Sequence, residues 1–251
     1  MKLPHLTRSS NTMNLMKTNQ WLAALSGLLW TVPVGAGILD FAVGEAIPDG
    51  NAAGIADVRT VAGLPTSVLD LRIRLDVRGI GVGGMINGDL YATLAYESVT
   101  GQIDAFSVLL NRVGRDLAEV DGYFDNGFQV TFAAGADDIH RYRETTVPAF
   151  GNALTGIWGA DGRESDPSAV LAGDARTALL DGFQSLNPNG RWTLFVADLA
   201  MGGEAELVSW GIEYTPVPEP EVVGVAACAM LVTWACWRRG RRAVGRSDAG
   251  R

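Results

Sequence analysis

Leu69-Asp70-Leu71-Arg72-Ile73-Arg74-Leu75-Asp76-Val77 alternates large apolar and charged side chains without a break. A period of two places Leu69, Leu71, Ile73, Leu75 and Val77 on one face and Asp70, Arg72, Arg74 and Asp76 on the other, which makes a half-buried strand. The same alternation returns in Leu90, Ala92, Leu94 and Tyr96; in Phe128, Val130 and Phe132; in Trp192, Leu194 and Val196; and in Val208, Trp210, Ile212 and Tyr214. Asn187-Pro188-Asn189-Gly190 reads as the turn before one of these strands, and Met201-Gly202-Gly203-Glu204 as a hairpin joining the last two. Residues 140–186, rich in Asp, Gly and Arg, read as long loops with one short helix over 175–180. Short strands with charged outer faces, and no long amphipathic helix, predict an all-β protein built as an antiparallel β-sandwich.

Outward from this body, both ends have a different character. Lys17 precedes an apolar stretch over 21–34, and Gly35, Ala36 and Gly37 follow, so residues 1–36 read as a secretory signal helix cleaved near Ala36. Met13 and Met16 are alternative starts. At the other end Val217-Pro218-Glu219-Pro220 precedes an apolar run over 222–237, and then Arg238-Arg239-Gly240-Arg241-Arg242. Sixteen helical residues reach roughly 24 Å, short of the roughly 30 Å of a bilayer core, so 222–237 predicts a marginal transmembrane helix. Basic residues beyond it predict a cytoplasmic tail over 243–251 and an exported body over 37–215.

The body is long enough to bury a core without staples. Both cysteines, Cys228 and Cys236, lie in the apolar run, so the body contains no disulfide. Residues 37–217 hold 25 Asp and Glu against 11 basic residues, a net of −14, where the whole chain has −8. An acidic surface excludes nucleic acid and anionic membrane surfaces as partners.

Catalytic signals are lacking. The body contains one histidine, His140, and no Gly-x-Ser-x-Gly elbow, so His140 reads as a surface-loop residue and no catalytic residues are assigned. Without a body cysteine or a second histidine, transition-metal sites are not expected. Calcium needs only oxygen ligands, and Asp121-Gly122-Tyr123-Phe124-Asp125-Asn126 and Asp161-Gly162-Arg163-Glu164-Ser165-Asp166 gather carboxylates, though neither has Asp-x-Asp-x-Asp-Gly spacing and both suit ordinary turns. Asp89 and Asp198 read as turn anchors. Trp158, placed in a loop, is the candidate platform for an extracellular polysaccharide.

Two resemblances sharpen this picture. The tail from Val217, Pro218, Glu219 and Pro220 through the apolar helix to Arg238, Arg239, Arg241 and Arg242 resembles the PEP-CTERM sorting signal of bacterial surface proteins. That resemblance implies an exosortase-type membrane enzyme as partner, and a protein held at the membrane by the helix or released to the envelope or extracellular matrix after processing. It departs from the pattern in running on to Arg251.

Ile47-Pro48-Asp49, Gly88-Asp89-Leu90, residues 187–194, Asp198 and Leu207-Val208-Ser209-Trp210 resemble the P domain, or P/Homo B domain, of subtilisin-like proprotein convertases and bacterial proteases. This implies a jelly-roll β-sandwich and an accessory role beside a secreted protease. The lack of catalytic signals together with the sorting tail favours instead a non-enzymatic protein displayed at the cell envelope or in the extracellular matrix, and a carbohydrate- or calcium-binding surface module is the remaining alternative. Tyr96-Glu97-Ser98-Val99 stands where that family commonly has a Ser-Pro loop, so contacts of that loop are not carried over.

Overall fold

The computed structural model describes residues 36–98, 100–217 and 230–234. Five strands form one sheet in the order β1 (Gly37–Ile47), β9 (Ala205–Pro216), β3 (Val68–Gly79), β6 (Gly127–Phe132) and β7 (Leu154–Trp158). Four form the other in the order β2 (Asn51–Val61), β8 (Gly190–Asp198), β4 (Leu90–Glu97) and β5 (Ile103–Asn111). The chain changes sheet at nearly every connection; β4 to β5 is the within-sheet hairpin. Pairing is antiparallel except between β6 and β7, which run parallel and correct the expectation of a wholly antiparallel sandwich. The reason lies in the connection: residues 133–153 carry the chain back, through a 3-10 turn at Ile139–Glu144, before β7 begins.

The inner faces are the rows read from the sequence. Leu71, Ile73, Leu75 and Val77 of β3 meet Leu90, Leu94, Tyr96, Trp192, Leu194 and Val196 of the facing sheet in one buried core. Each of these large side chains contributes about 1.5–3 kcal/mol by leaving water. Trp210 ties the sheets together: its Nε1 donates to Asp57 on β2 at 2.6 Å, and its ring lies 4.8 Å from that of Phe41.

Two residues leave the expected rows. Leu69 is 61 % exposed because the β3–β9 register shifts between Val68 and Asp70, and Val68 takes the inward place. Leu69→Ser is therefore expected to change stability by less than about 0.5 kcal/mol in a denaturant titration. Val208 is half-buried for the same reason: a second shift makes it the extra residue of a bulge, and Leu207 points inward. Nor is 199–204 a hairpin, since β8 and β9 belong to different sheets and the segment crosses between them. The helix expected over 175–180 is instead a 3-10 turn at Leu180–Phe183.

The Asn187–Trp192 turn works through its side chains. Asn189 clasps Leu64, accepting from its N–H at 2.8 Å and donating to its carbonyl at 2.9 Å, and Trp192 Nε1 donates to the Pro188 carbonyl at 2.9 Å. A Cβ at Gly190 would stand 2.5 Å from the Glu97 carbonyl oxygen, so only glycine lets β8 enter beside β4 here.

Candidate functional site

The tail residues proposed for sorting begin at the end of β9. Val217 is described, and its N–H donates to the Ser67 carbonyl at 3.2 Å. Pro218, Glu219, Pro220, Arg238, Arg239, Arg241 and Arg242 lie outside the described residues, as does the signal segment before Ala36. Residues 230–234, inside the expected transmembrane run, are helical; among the described residues no helix is long and apolar enough to cross a membrane. Gly37 pairs with Tyr214, so the chain enters and leaves the sandwich at the same end.

His140 is not a surface residue. It is completely buried, with Nδ1 2.7 Å from Asp161 Oδ2 and Nε2 3.0 Å from the Arg115 carbonyl oxygen. Both partners accept hydrogen bonds, so both ring nitrogens are committed and neither faces a nucleophile. Around them Arg163, 1 % exposed, bridges two carboxylates: one guanidinium nitrogen lies 2.7 Å from Asp138 Oδ2 and the other 3.1 Å from Asp161 Oδ1. Arg163 also donates to the Ala172 carbonyl at 2.7 Å, and Arg176 to those of Ala160 and Asp161. Burial pushes the Asp138 carboxyl up, but the bonds and charge of Arg163 outweigh it and hold the group below the ordinary carboxylate range. The network fastens 160–178 against β5: the Asp161 and Gly162 N–H groups donate to Leu109 and Val108, and the Val108 N–H donates to Ala178.

A second network sits below the neighbouring loops. Asp125 accepts from Arg143 at 2.7 and 2.8 Å and from the Tyr142 hydroxyl, while Asn87 bonds Gly127 through both its side-chain oxygen and nitrogen. Burial, followed by the Asp125 carboxylate, pushes the Tyr142 hydroxyl far above its ordinary value and keeps it a donor. The loops read as calcium candidates are thus taken up differently. Asp125 and Asp161 are held by arginine, and Asp166 caps Ser168 at 2.8 Å. Among the described residues no group of three or more His, Cys, Asp or Glu side chains is arranged to hold a metal ion. Trp158 ends β7, 5 % exposed and packed beside Tyr142, which removes the aromatic platform assigned to a polysaccharide.

Asp89 and Asp198 do anchor the connections at the end of the sandwich opposite Gly37. The Asp198 carboxylate accepts from the Ala200 N–H at 3.2 Å, and the Asp89 carbonyl accepts from the Leu199 N–H at 2.9 Å. A Cβ at Gly88 would lie 2.1 Å from the Asp121 carbonyl oxygen, so the Gly-Asp-Leu segment passes under its neighbour at a distance only glycine permits. Arg112, in a left-handed turn at φ 47°, donates to the Gly88 carbonyl at 3.0 Å and reaches Asp89 at 3.5 Å. Both carboxyls are pushed up to about 6: Asp89 by burial and then the charge of Asp198, and Asp198 by burial, with Asp49 adding to it. Arg112, Arg143 and Arg163 were not singled out from the sequence. A signal was present: every basic residue in 37–217 is arginine and none is lysine, the choice suited to forked, buried pairing with carboxylates.

No family model matches the chain, and no curated protein matches it. Among solved structures it is similar to a serine protease of Aeromonas sobria in complex with its chaperone, at 14 % identity and a TM-score of 0.37, covering 74 % of this chain and 28 % of that one. A second structure of that serine protease gives 14 % identity and a TM-score of 0.36, over 72 % of this chain and 27 % of the other. The chain thus spans little more than a quarter of the length of either, a distant similarity of fold alone.

Proposed function

We propose that this chain is an exported, non-enzymatic protein of the cell envelope or extracellular matrix, with a P domain-like sandwich as the displayed part and residues 216–242 as a PEP-CTERM signal read by an exosortase-type enzyme. The observation supporting it is the pairing of Gly37 with Tyr214: a leader ending at Ala36 and a tail beginning at Pro216 leave from one end of the body, so both face the same membrane while the rest projects away. The apolar run over 222–237 holds the protein in the membrane until processing, and Arg238, Arg239, Arg241 and Arg242 fix its orientation.

Intact-mass measurement on the exported protein tests this. A C-terminus between 216 and 221 supports processing, whereas retention through Arg251 in every mature molecule overturns it in favour of a plain anchor. Replacing the four arginines by Gln is expected to redistribute the protein between membrane and exterior fractions and to leave the melting midpoint of the body unchanged. Loss of the folded body in that variant would disprove the separation of body and tail. The other reading, an accessory module of a secreted subtilisin-like protease, predicts stoichiometric co-purification with such an enzyme.

A further inference from the structure

The strand directions gather five connections, 48–50, 80–89, 112–126, 145–153 and 199–204, at the end of the sandwich opposite Gly37 and Val217. Cross-links make them one surface. The Gly202 N–H donates to Asp49 at 3.1 Å, that of Ile80 to the Glu204 carbonyl at 2.8 Å, and that of Met85 to Asn126 Oδ1 at 2.9 Å, while Asn126 Nδ2 donates to Gly151 at 3.1 Å. From this surface Val82, Leu117, Phe150 and Met201 project, each at least 81 % exposed. Large apolar side chains exposed on several loops of one end, with those loops bonded to one another, are the pattern of an interaction surface.

Charge specifies the occupant. Asp49, Asp116, Glu119, Asp121, Glu144 and Glu204 are exposed around these tips. Of the arginines of these loops and the adjoining 3-10 turn, Arg112 turns inward to the Gly88 carbonyl, Arg115 to that of Val170 at 3.0 Å and Arg143 to Asp125, while Arg141 alone stays exposed, 3.5 Å from Glu144. The rim is negative, and a second copy meeting it end to end, an anionic lipid surface or an acidic polysaccharide would bring like charges together. We propose that this loop end is a docking surface for a cationic protein segment that carries apolar side chains between its lysines and arginines. The apolar tips supply the contact area and the carboxylates supply steering and selection.

The test uses the full chain and a synthetic amphipathic Leu/Lys helix as probe, with Leu/Glu and Ser/Lys peptides as controls. The wild type is expected to bind the Leu/Lys peptide, more weakly as salt is added. Val82→Ser/Phe150→Ser/Met201→Ser is expected to weaken binding by about tenfold or more with an unchanged melting midpoint. Leu69→Ser/Ile103→Ser, at the opposite end, is expected to bind as the wild type does. Glu144→Gln/Glu204→Gln is expected to flatten the salt dependence while leaving the tips intact. Equal binding by the triple variant, equal binding to either control peptide, or a triple variant whose defect is instead in self-association or in binding anionic vesicles overturns the proposal. None of these readouts depends on how the tail is processed.

Discussion

Arg163→Ala is expected to destabilise the body by about 3–5 kcal/mol, because it removes the guanidinium that both Asp138 and Asp161 share in a low-dielectric interior, leaving only Arg176 at 3.7 Å from Asp138 and His140 beside Asp161. Arg163 offers both carboxylates and the Ala172 carbonyl a donor from one planar group. Lysine has one ammonium where the guanidinium has a fork, so Arg163→Lys is expected to recover only part of the loss. Arg74→Ala is the matched control. It removes a pair with Asp40 in which both side chains are largely solvent-facing, and its effect is expected to stay within about 1 kcal/mol. Denaturant titration of the three variants measures the difference. An Arg163→Ala effect no larger than the control would mean that 160–178 is held on β5 by its backbone bonds alone.

Stability is also expected to fall as pH rises from about 4 to about 7, with Asp89 and Asp198 as the source. In the unfolded chain these carboxyls release their protons near 4, and in the folded protein near 6, so between those values the native state holds protons that the unfolded state has lost. Their contribution is complete below about pH 4 and disappears as pH climbs through 6, by roughly 2–3 kcal/mol for each group and less than twice that for the interacting pair. Asp138 acts in the opposite sense. Its folded value lies below the ordinary one, so its contribution is present above about pH 4 and lost as pH falls further. The melting midpoint should therefore peak in mildly acidic solution. Asp89→Asn removes one of the two raised carboxyls, and should flatten the decline between about pH 4 and 7. A midpoint that rises steadily across that range in the wild type would show that the pair is not buried as described.

What could be read from the sequence follows from how each strand is covered. β3, β4, β6 and β8 have one face in the core and a polar or half-exposed face outside, and their alternation is plain. β5 escaped notice because Val108, Leu109, Leu110 and Asn111 are all buried, with the segment around 161–178 lying against the strand, so the run shows no period of two. β1 changes parity at the bulge between Ala42 and Glu45, and β2 uses small residues, Ala52, Ala53 and Ala56, which carry little signal. β7 is short and interrupted by Gly156 at φ 108°. The polar networks were harder still. His140, Asp161 and Arg163 look like loop residues locally, and only the fold of 160–178 back onto β5 takes them out of water. A lone histidine among aspartates gave no sign of that return, and the arginine-only basic set suits paired carboxylates in general without placing them.

β9 lies between β1 and β3, and the chain runs on from it through Pro216 and Val217. A pull applied beyond Val217 therefore acts along the length of the strand, with ladders to two neighbours sharing the load, rather than peeling an outer strand away rung by rung. Tension reaches the sandwich in shear. Survival under such traction is set by how fast the fold opens and not by its equilibrium stability, so the placement of this one strand suits the domain to being towed by its C-terminal side.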